Sequence, residues 1–494
     1  MTKVLFFSPH SHIWLHAYPE ALLAEALVSQ GMDVHYVTCG RALKSWCVPM
    51  EAIGANENIT LEEKERICNR CEHNAAQLLK HFQFKHSALS AHLDALQRSK
   101  IDAILANTQP ETLFDFELEG IPVGRASLYN FTLNRKKYFE REFSSTEWTD
   151  FLKHFESSLV SFYAGKSLLA QYRPDRIIFY SSSYSVNLVV HLQAKKLGIP
   201  CFSVCAGSNW FNRLQRMYVL TTDNFDGFRN RLQLWHARYR ALPATAVGLS
   251  SALQQNKTLL AGNHAMVYGG GNSQMRPQDI RERWGIPAAS KLLFIATSSY
   301  DELSAAQTIG ALPQNPRMAF QTQIEWIEKV IEYVAKRQDL SLVIRVHPRE
   351  LPNQREAIGS EHSLKLKAVL RDLPENVRVN WPEDGMSLYD WLEVIDVGLT
   401  SWSSAGKEFA LWGIPNLSYT SELTFYPSDD LGYIGETPDE FFQQLECALR
   451  DGWSWDRVLL AYRWQAYELE GAVFDLSDAI PEQLITPRSF VGRV

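Results

Sequence analysis

A chain of 494 residues, 46% hydrophobic and 21% charged, has apolar surface enough for two or three α/β-sized domains, which excludes intrinsic disorder as its main state. Its net charge of −7, from 49 basic against 56 acidic residues with no long single-sign block, excludes duplex nucleic acid as an expected partner. Seven cysteines are too few for a disulfide scaffold, there is no apolar run long enough to span a membrane, and the N-terminus meets Pro9 and His10 before a signal-peptide core can form, so the chain is expected in the cytoplasm.

Residues 4–7 are a short apolar run, followed by the loop 8–12, a helical pattern over about 19–30 closed by Gly31, and a second strand-like run at 34–38. This β-loop-α-β unit opens a doubly wound parallel sheet. Further strands are predicted at 103–105, 176–180 and 201–205, each ending in small or polar residues, which places ligand-facing loops at their carboxyl ends. Residues 212–254 read as helical and basic-aromatic, and Gly269-Gly270-Gly271-Asn272 then breaks all periodicity and marks a hinge.

A second series follows: a strand at 292–296 ending in Thr297, Ser298 and Ser299, a helix at 321–337, and a strand at 342–346 ending in His347-Pro348. Strands at 377–380, 397–400 and 416–419 alternate with helices at 387–394 and after Ser403-Ser404. The predicted fold class is α/β, two Rossmann-like domains facing across a cleft. The domains are 1–265, which carries a cysteine-containing insertion, and 266–455. A helical segment, 456–494, packs back on the first.

The stretch Asp396 to Pro415, DVGLTSWSSAGKEFALWGIP, carries the strongest chemical signal. A buried strand ends in Thr400 and Ser401, and Ser403, Ser404 and Gly406 precede a helix bearing Glu408. Hydroxyls and free backbone N–H groups there suit a phosphate, and the carboxylate suits ribose hydroxyls. A capped helix with Ser403 as N-cap is the plain alternative. Arg345-Val346-His347-Pro348-Arg349 delivers an imidazole and two guanidinium groups to the same sheet edge, where they can neutralise a leaving phosphate.

These two elements resemble the R-x-H-P and D-V-x-x-T-x-x-S-x-x-x-x-E-x-x-x-x-G-x-P signatures of bacterial capsule and surface-polysaccharide glycosyltransferases of GT-B type, including Kdo-transferase-like proteins, over residues 285–430. The resemblance implies that His347, Ser403 and Ser404 face the nucleotide phosphates of an activated sugar, with Glu408 near the ribose. Arg345, Ser298, Ser299, Thr400 and Ser401 complete the expected nucleotide site. Glu383-Asp384-Gly385 matches an acidic triplet of GT-B sialyltransferases but follows the His-Pro element instead of preceding it, so no base role is carried over.

The implied reaction is transfer of a sugar from a nucleotide donor, CMP-Kdo or another CMP- or UDP-sugar, to a capsule or lipopolysaccharide glycan or a lipid-linked glycan. The alternatives are a CDP-polyol phosphotransferase of teichoic-acid type, a non-hydrolysing sugar-nucleotide epimerase, and a non-enzymatic sugar-nucleotide-binding regulator. No Asp-x-Asp motif stands at a strand end, so catalysis is expected to need no metal. An inverting enzyme needs a base from the first half, and His10, His12 and Glu111 are the candidates.

Four of the seven cysteines, Cys39, Cys47, Cys68 and Cys71, fall within 33 residues. Their C-x-x-C half-site admits a structural zinc ion, with free thiols as the alternative. The basic residues at 134–138, with Arg213, Arg216, Arg229 and Arg231, suggest peripheral contact with the inner membrane or a lipid-linked acceptor, against the alternative of a solvated face.

Overall fold

The computed structural model describes residues 1–480 other than 56, 139–141, 263–272, 274, 354–356 and 472. Strands β1 (Lys3–Phe7), β2 (Asp33–Thr38), β3 (Lys85–Ala88), β4 (Arg176–Tyr180), β5 (Cys201–Cys205) and β6 (Arg216–Thr221) form one sheet in the order β6-β5-β4-β1-β2-β3. All are parallel except β6, which runs against β5. The second sheet is wholly parallel. It comprises β7 (Lys291–Ala296), β8 (Leu340–Arg345), β9 (Val377–Asn380), β10 (Val397–Thr400), β11 (Asn416–Ser418) and β12 (Tyr433–Ile434), in the order β12-β11-β10-β7-β8-β9.

Residues 4–7 and 292–296 are buried on both faces, as helices packed on both sides of a parallel sheet require. Strand order reverses between β1 and β4 in one sheet and between β7 and β10 in the other, and such switch points open crevices at the carboxyl ends of the strands. The architecture is the predicted one, two Rossmann-like units in the GT-B layout. The expected boundary at 265/266 and the glycine hinge at 269–272 lie outside the described residues.

The end of the chain returns to the first unit. Helix Trp455–Glu470, opened by Ser454 accepting from Arg457 N, packs along helix Ala246–Ala261 and buries Trp464 edge-on against Trp235, with ring centroids 5.4 Å apart. A short strand that the sequence does not announce, β13 (Val473–Asp475), then pairs antiparallel with β6, Val473 opposite Tyr218.

Two predicted elements are corrected. Residues 103–105 belong to helix Ala95–Asn107, whose start is fixed by reciprocal capping between Asp94 and Gln97. The apolar Ile101, Ile104 and Leu105 follow helical spacing there, not a strand's alternation. Within 212–254, the β-branched and aromatic run RMYVLT forms β6. Among the described residues no helix is long and apolar enough to cross a membrane.

Candidate functional site

Register alone sets out the second sheet's functional edge. Thr400 pairs with Ala296 and Ala296 with Arg345, so the loops after β10, β7 and β8 leave the sheet side by side. Hydrogen bonds then tie them together. Thr297 N donates to Arg345 O at 3.1 Å, and His347 N donates to Thr297 Oγ1 at 2.8 Å. The Ser298 and Ser401 hydroxyls meet at 2.7 Å, and Gln323 Oε1 accepts from Ser298 N at 2.7 Å and from Ser401 Oγ at 3.3 Å. His347, Ser298 and Ser401, far apart in sequence, thus share one wall.

His347 is half-buried, and its Nδ1 accepts from Arg349 N at 3.2 Å, which fixes the ring plane. Thr400 and Ser401 are fully buried, Ser403 is half-buried and Ser404 exposed. Ser403 Oγ accepts from Ala405 N at 3.2 Å at the start of helix Ala405–Leu411. Ser299 Oγ donates to Asp301 Oδ1 at 2.8 Å, and so serves to hold the loop after β7.

Beneath this wall lies an ionic cluster. The Arg345 guanidinium sits among Glu408, Tyr389 and Asp390, and burial draws its pKa below the usual arginine range. Burial pushes the Glu408 carboxyl up from the usual carboxylate range, against a hydrogen bond from Tyr389 and the charges of Lys407 and Arg345. Arg345 Nε and Glu408 Oε2 are buried without a hydrogen-bond partner. An unpaired polar atom in such a place costs roughly 1–3 kcal/mol unless a polar partner meets it.

The first unit's candidates are placed differently from one another. His10 is sealed under helix Trp14–Ser29, 0% exposed, with Nε2 3.1 Å from Glu20 Oε2. Ser8 Oγ donates to the same oxygen at 2.6 Å, and Tyr36 donates to Ser8 Oγ at 2.9 Å. His12 is half-buried with Nδ1 3.3 Å from Ile67 O, and burial lowers its pKa from the usual histidine value. Glu111 is exposed on the short helix Pro110–Leu113. With 103–105 helical, Glu111 follows no strand end.

Glu51, at the C-terminal end of the short helix Val48–Ala52, was not singled out by sequence and carries no motif that could have flagged it. Its Oε2 accepts from Asn130 Nδ2 at 2.8 Å, and Asn134 supplies a second hydrogen bond. Desolvation raises its pKa to about 7, partly opposed by these two amides and by Arg349 of the second unit. Tyr129, hydrogen-bonded to Ser183 in the loop after β4, feels Glu51, Glu302 and Arg349 together, so these groups lie where the two units meet.

The basic residues within 134–138 are used up inside the protein, and Lys136 in that same seam. Arg135 pairs with Glu57 at 3.0 Å and Asp150 at 2.6 Å. Lys136, 2% exposed, donates from Nζ to Arg349 O at 2.7 Å and Ile358 O at 2.9 Å. Lys137 pairs with Glu147, and Tyr138 bonds His362, whose Nε2 lies 2.9 Å from Gln323 Nε2. Arg349 is itself held by Asp301 at 2.9 Å and by Leu133 O at 3.1 Å. Arg216 pairs with Asp475 at 3.0 Å, Arg229 with Asp226 at 2.6 Å, and Arg231 lies buried over Tyr218, while Arg213 stacks over Trp210. These cations hold the protein's own acids, carbonyls and rings.

Cys39, Cys47, Cys68 and Cys71 are free thiols lining one hollow of about 520 Å³, yet no three of their sulfurs come within 4.8 Å of one another. Burial holds Cys39 at about 11 and Cys71 at about 12, and raises Cys47 and Cys68 from the usual thiol value. A tetrahedral zinc site needs converging thiolates, and this set does not fit one. Among the described residues the only such cluster within 4.8 Å is His236, Asp429 and Asp430. There Asp430 already binds Arg240 at 2.7 Å and Trp235 Nε1 at 2.8 Å.

No family model matches the chain, and no curated protein matches it in sequence. Solved structures that align with it include UDP-GlcNAc 2-epimerase from Neisseria meningitidis bound to UDP-GlcNAc, at 12% identity over 95% of this chain and 97% of that one, TM-score 0.31. The spinosyn rhamnosyltransferase SpnG aligns at 12% identity over 99% of both chains, TM-score 0.29. KpsC of Thermosulfurimonas dismutans, a β-Kdo 2,7 transferase, aligns at 12% identity over 65% of this chain and 88% of that one, TM-score 0.34. Similarity at this level assigns no activity to the chain.

Proposed function

We propose that the chain is a metal-independent glycosyltransferase that moves a sugar from a nucleotide donor, CMP-Kdo or another CMP- or UDP-sugar, to a capsule or lipopolysaccharide glycan. The observation that carries this reading is the joining of His347, Ser298 and Ser401 on one sheet edge above the half-satisfied Arg345 and Glu408 pair. Glu408 would take ribose hydroxyls, while Arg345, His347, Ser403 and Ser404 would face the phosphates.

Chemically, the bond from the anomeric carbon to the phosphate oxygen breaks through an oxocarbenium-like state as the acceptor oxygen bonds to that carbon. Negative charge grows on the departing phosphate, where positioned donors act most strongly. The acceptor's proton goes to the opposite wall. Glu51 suits that role better than His10, which is sealed, or Glu111, which is exposed on its own helix.

A sugar-nucleotide epimerase, which would act on one ligand and need no acceptor, is the second reading. Thermal shift with CMP, CDP, UDP and GDP tests nucleotide binding, because a ligand of the native state raises its apparent stability. A shift with none of them overturns both readings. Conversion of UDP-GlcNAc without any acceptor would decide for the epimerase.

A further inference from the structure

The hollow that gathers the four cysteines lies between helix Leu61–Phe82 and the carboxyl ends of β2 and β3. Strand carboxyl ends are where doubly wound sheets receive ligands, and this hollow belongs to the first unit alone. At about 520 Å³ it falls within the range of pockets for small molecules.

Short side chains stand on its helix wall and on its strand-end wall. Ala75 and Ala76 stand on the helix, and Gly40 and Ala88 on the strand ends. A Cβ on Gly40, whose φ is +56°, would come 2.5 Å from Ala88 Cβ and 2.6 Å from Ser90 Oγ, so the loop after β2 can press close only without a side chain. Leucines at such positions would have filled the space, as they do in the sheet core.

Polar groups around it are already engaged. Arg41 is bound to Glu65 and, at 2.9 Å, to Glu72, so the charges at the rim are paired with one another. Ser87 Oγ sits 2.8 Å from both His35 Nε2 and His92 Nε2, and His86 Nδ1 lies 3.0 Å from Phe84 O. Apart from Thr38, what remains to meet a ligand is mainly aliphatic carbon and thiol, and burial keeps those thiols protonated. Uncharged sulfur is soft and polarizable and contacts hydrocarbon well.

We propose that this thiol-lined hollow is a binding pocket for an uncharged apolar group, either an alkyl chain or a flat aromatic, and not a metal centre. None of the residues lining it belongs to the second unit, and the proposal does not rest on the glycosyltransferase reading.

The full-length chain should be titrated with N-phenyl-1-naphthylamine, an uncharged dye whose emission rises in apolar surroundings. A saturable single site is expected, weakened at least tenfold in Ala75→Phe, which fills the hollow. Cys71→Met serves as a milder second variant, and circular dichroism shows whether each is folded. Bound dye should also slow modification of Cys39, Cys68 and Cys71 by methyl methanethiosulfonate, read by intact mass.

Displacement of the dye by 1-decanol would identify an alkyl chain as the occupant, and displacement by 2-naphthol alone an aromatic. Both outcomes support the pocket. Non-saturable binding, or binding equal in folded Ala75→Phe, overturns it. So does tight, stoichiometric uptake of Zn²⁺ that a Cys39→Ser, Cys71→Ser double variant loses. A CMP or UDP thermal shift in the same preparations reports on the cleft separately, so failure of one proposal leaves the other readable.

Discussion

The hydroxyl oxygens of Ser298 and Ser401 lie 2.7 Å apart although 103 residues separate them along the chain. Gln323 supports both, accepting from Ser298 N and from Ser401 Oγ, while Ser401 O accepts from Ser418 Oγ at 2.7 Å. Ser401→Ala leaves buried polar atoms of Ser298 and Gln323 short of a partner. A loss of roughly 1–3 kcal/mol in urea unfolding is expected, together with a smaller thermal shift by the nucleotide that binds. An unchanged unfolding midpoint would show that the pair does not hold the two loops.

His347→Ala should lower turnover by about a hundredfold while the nucleotide thermal shift persists, if the imidazole acts on the leaving phosphate in the transition state. Its backbone bond to Thr297 survives the substitution, so the loop should keep its place. Equal turnover in the variant would reduce His347 to a loop residue.

Glu51 makes a prediction about pH with a definite sign. Its pKa is raised to about 7 in the folded state from an ordinary 4.5, mainly by desolvation, so between those values the unfolded chain binds fewer protons than the native one. Its contribution to stability is therefore complete below about 4.5 and is lost as pH rises through about 7. Glu51→Gln should flatten that decline in chemical denaturation curves taken across the window. Glu350, also raised to about 7, keeps some of the slope in the variant. Catalysis should run the other way. A base must be deprotonated, so turnover should rise through half its maximum near pH 7 and level off above about pH 8, and Glu51→Gln should cut it about a hundredfold or more. A pH profile unaltered by the substitution would rule the role out.

Lys136 reports on the seam. Lys136→Met keeps the aliphatic stem but strips the donors from Arg349 O and Ile358 O, at a cost of roughly 1–3 kcal/mol for each carbonyl left buried and unpaired. The two units should then separate more readily, seen as faster limited proteolysis between them or a larger radius of gyration in solution scattering. A variant as stable and compact as the parent would show that the contact is dispensable.

Much of the second unit was readable in advance because parallel strands buried on both faces are nearly unbroken apolar runs, and their polar ends mark the edge where His347, Ser298 and Ser401 stand. The first unit hid more. Three apolar residues at 103–105 cannot separate strand from helix, and the deciding Asp94–Gln97 cap lies upstream of them. The basic residues at 134–138 look like a surface patch, since the acids and carbonyls that consume them come from positions as distant as Glu57, Asp150 and Arg349. Glu51 gave no signal because its environment is assembled by Asn130, Tyr129 and Arg349 from two other parts of the chain.

The return of β13 to the edge of β6 means that the polypeptide passes between the two units twice. Two crossings act like a pair of pins in a door frame: they permit swinging about one axis and resist twisting or sliding. Opening of the cleft should therefore be a single-axis rotation, and deleting the chain from Trp455 onward would remove one pin and expose the row of backbone donors and acceptors along β6 to any passing strand.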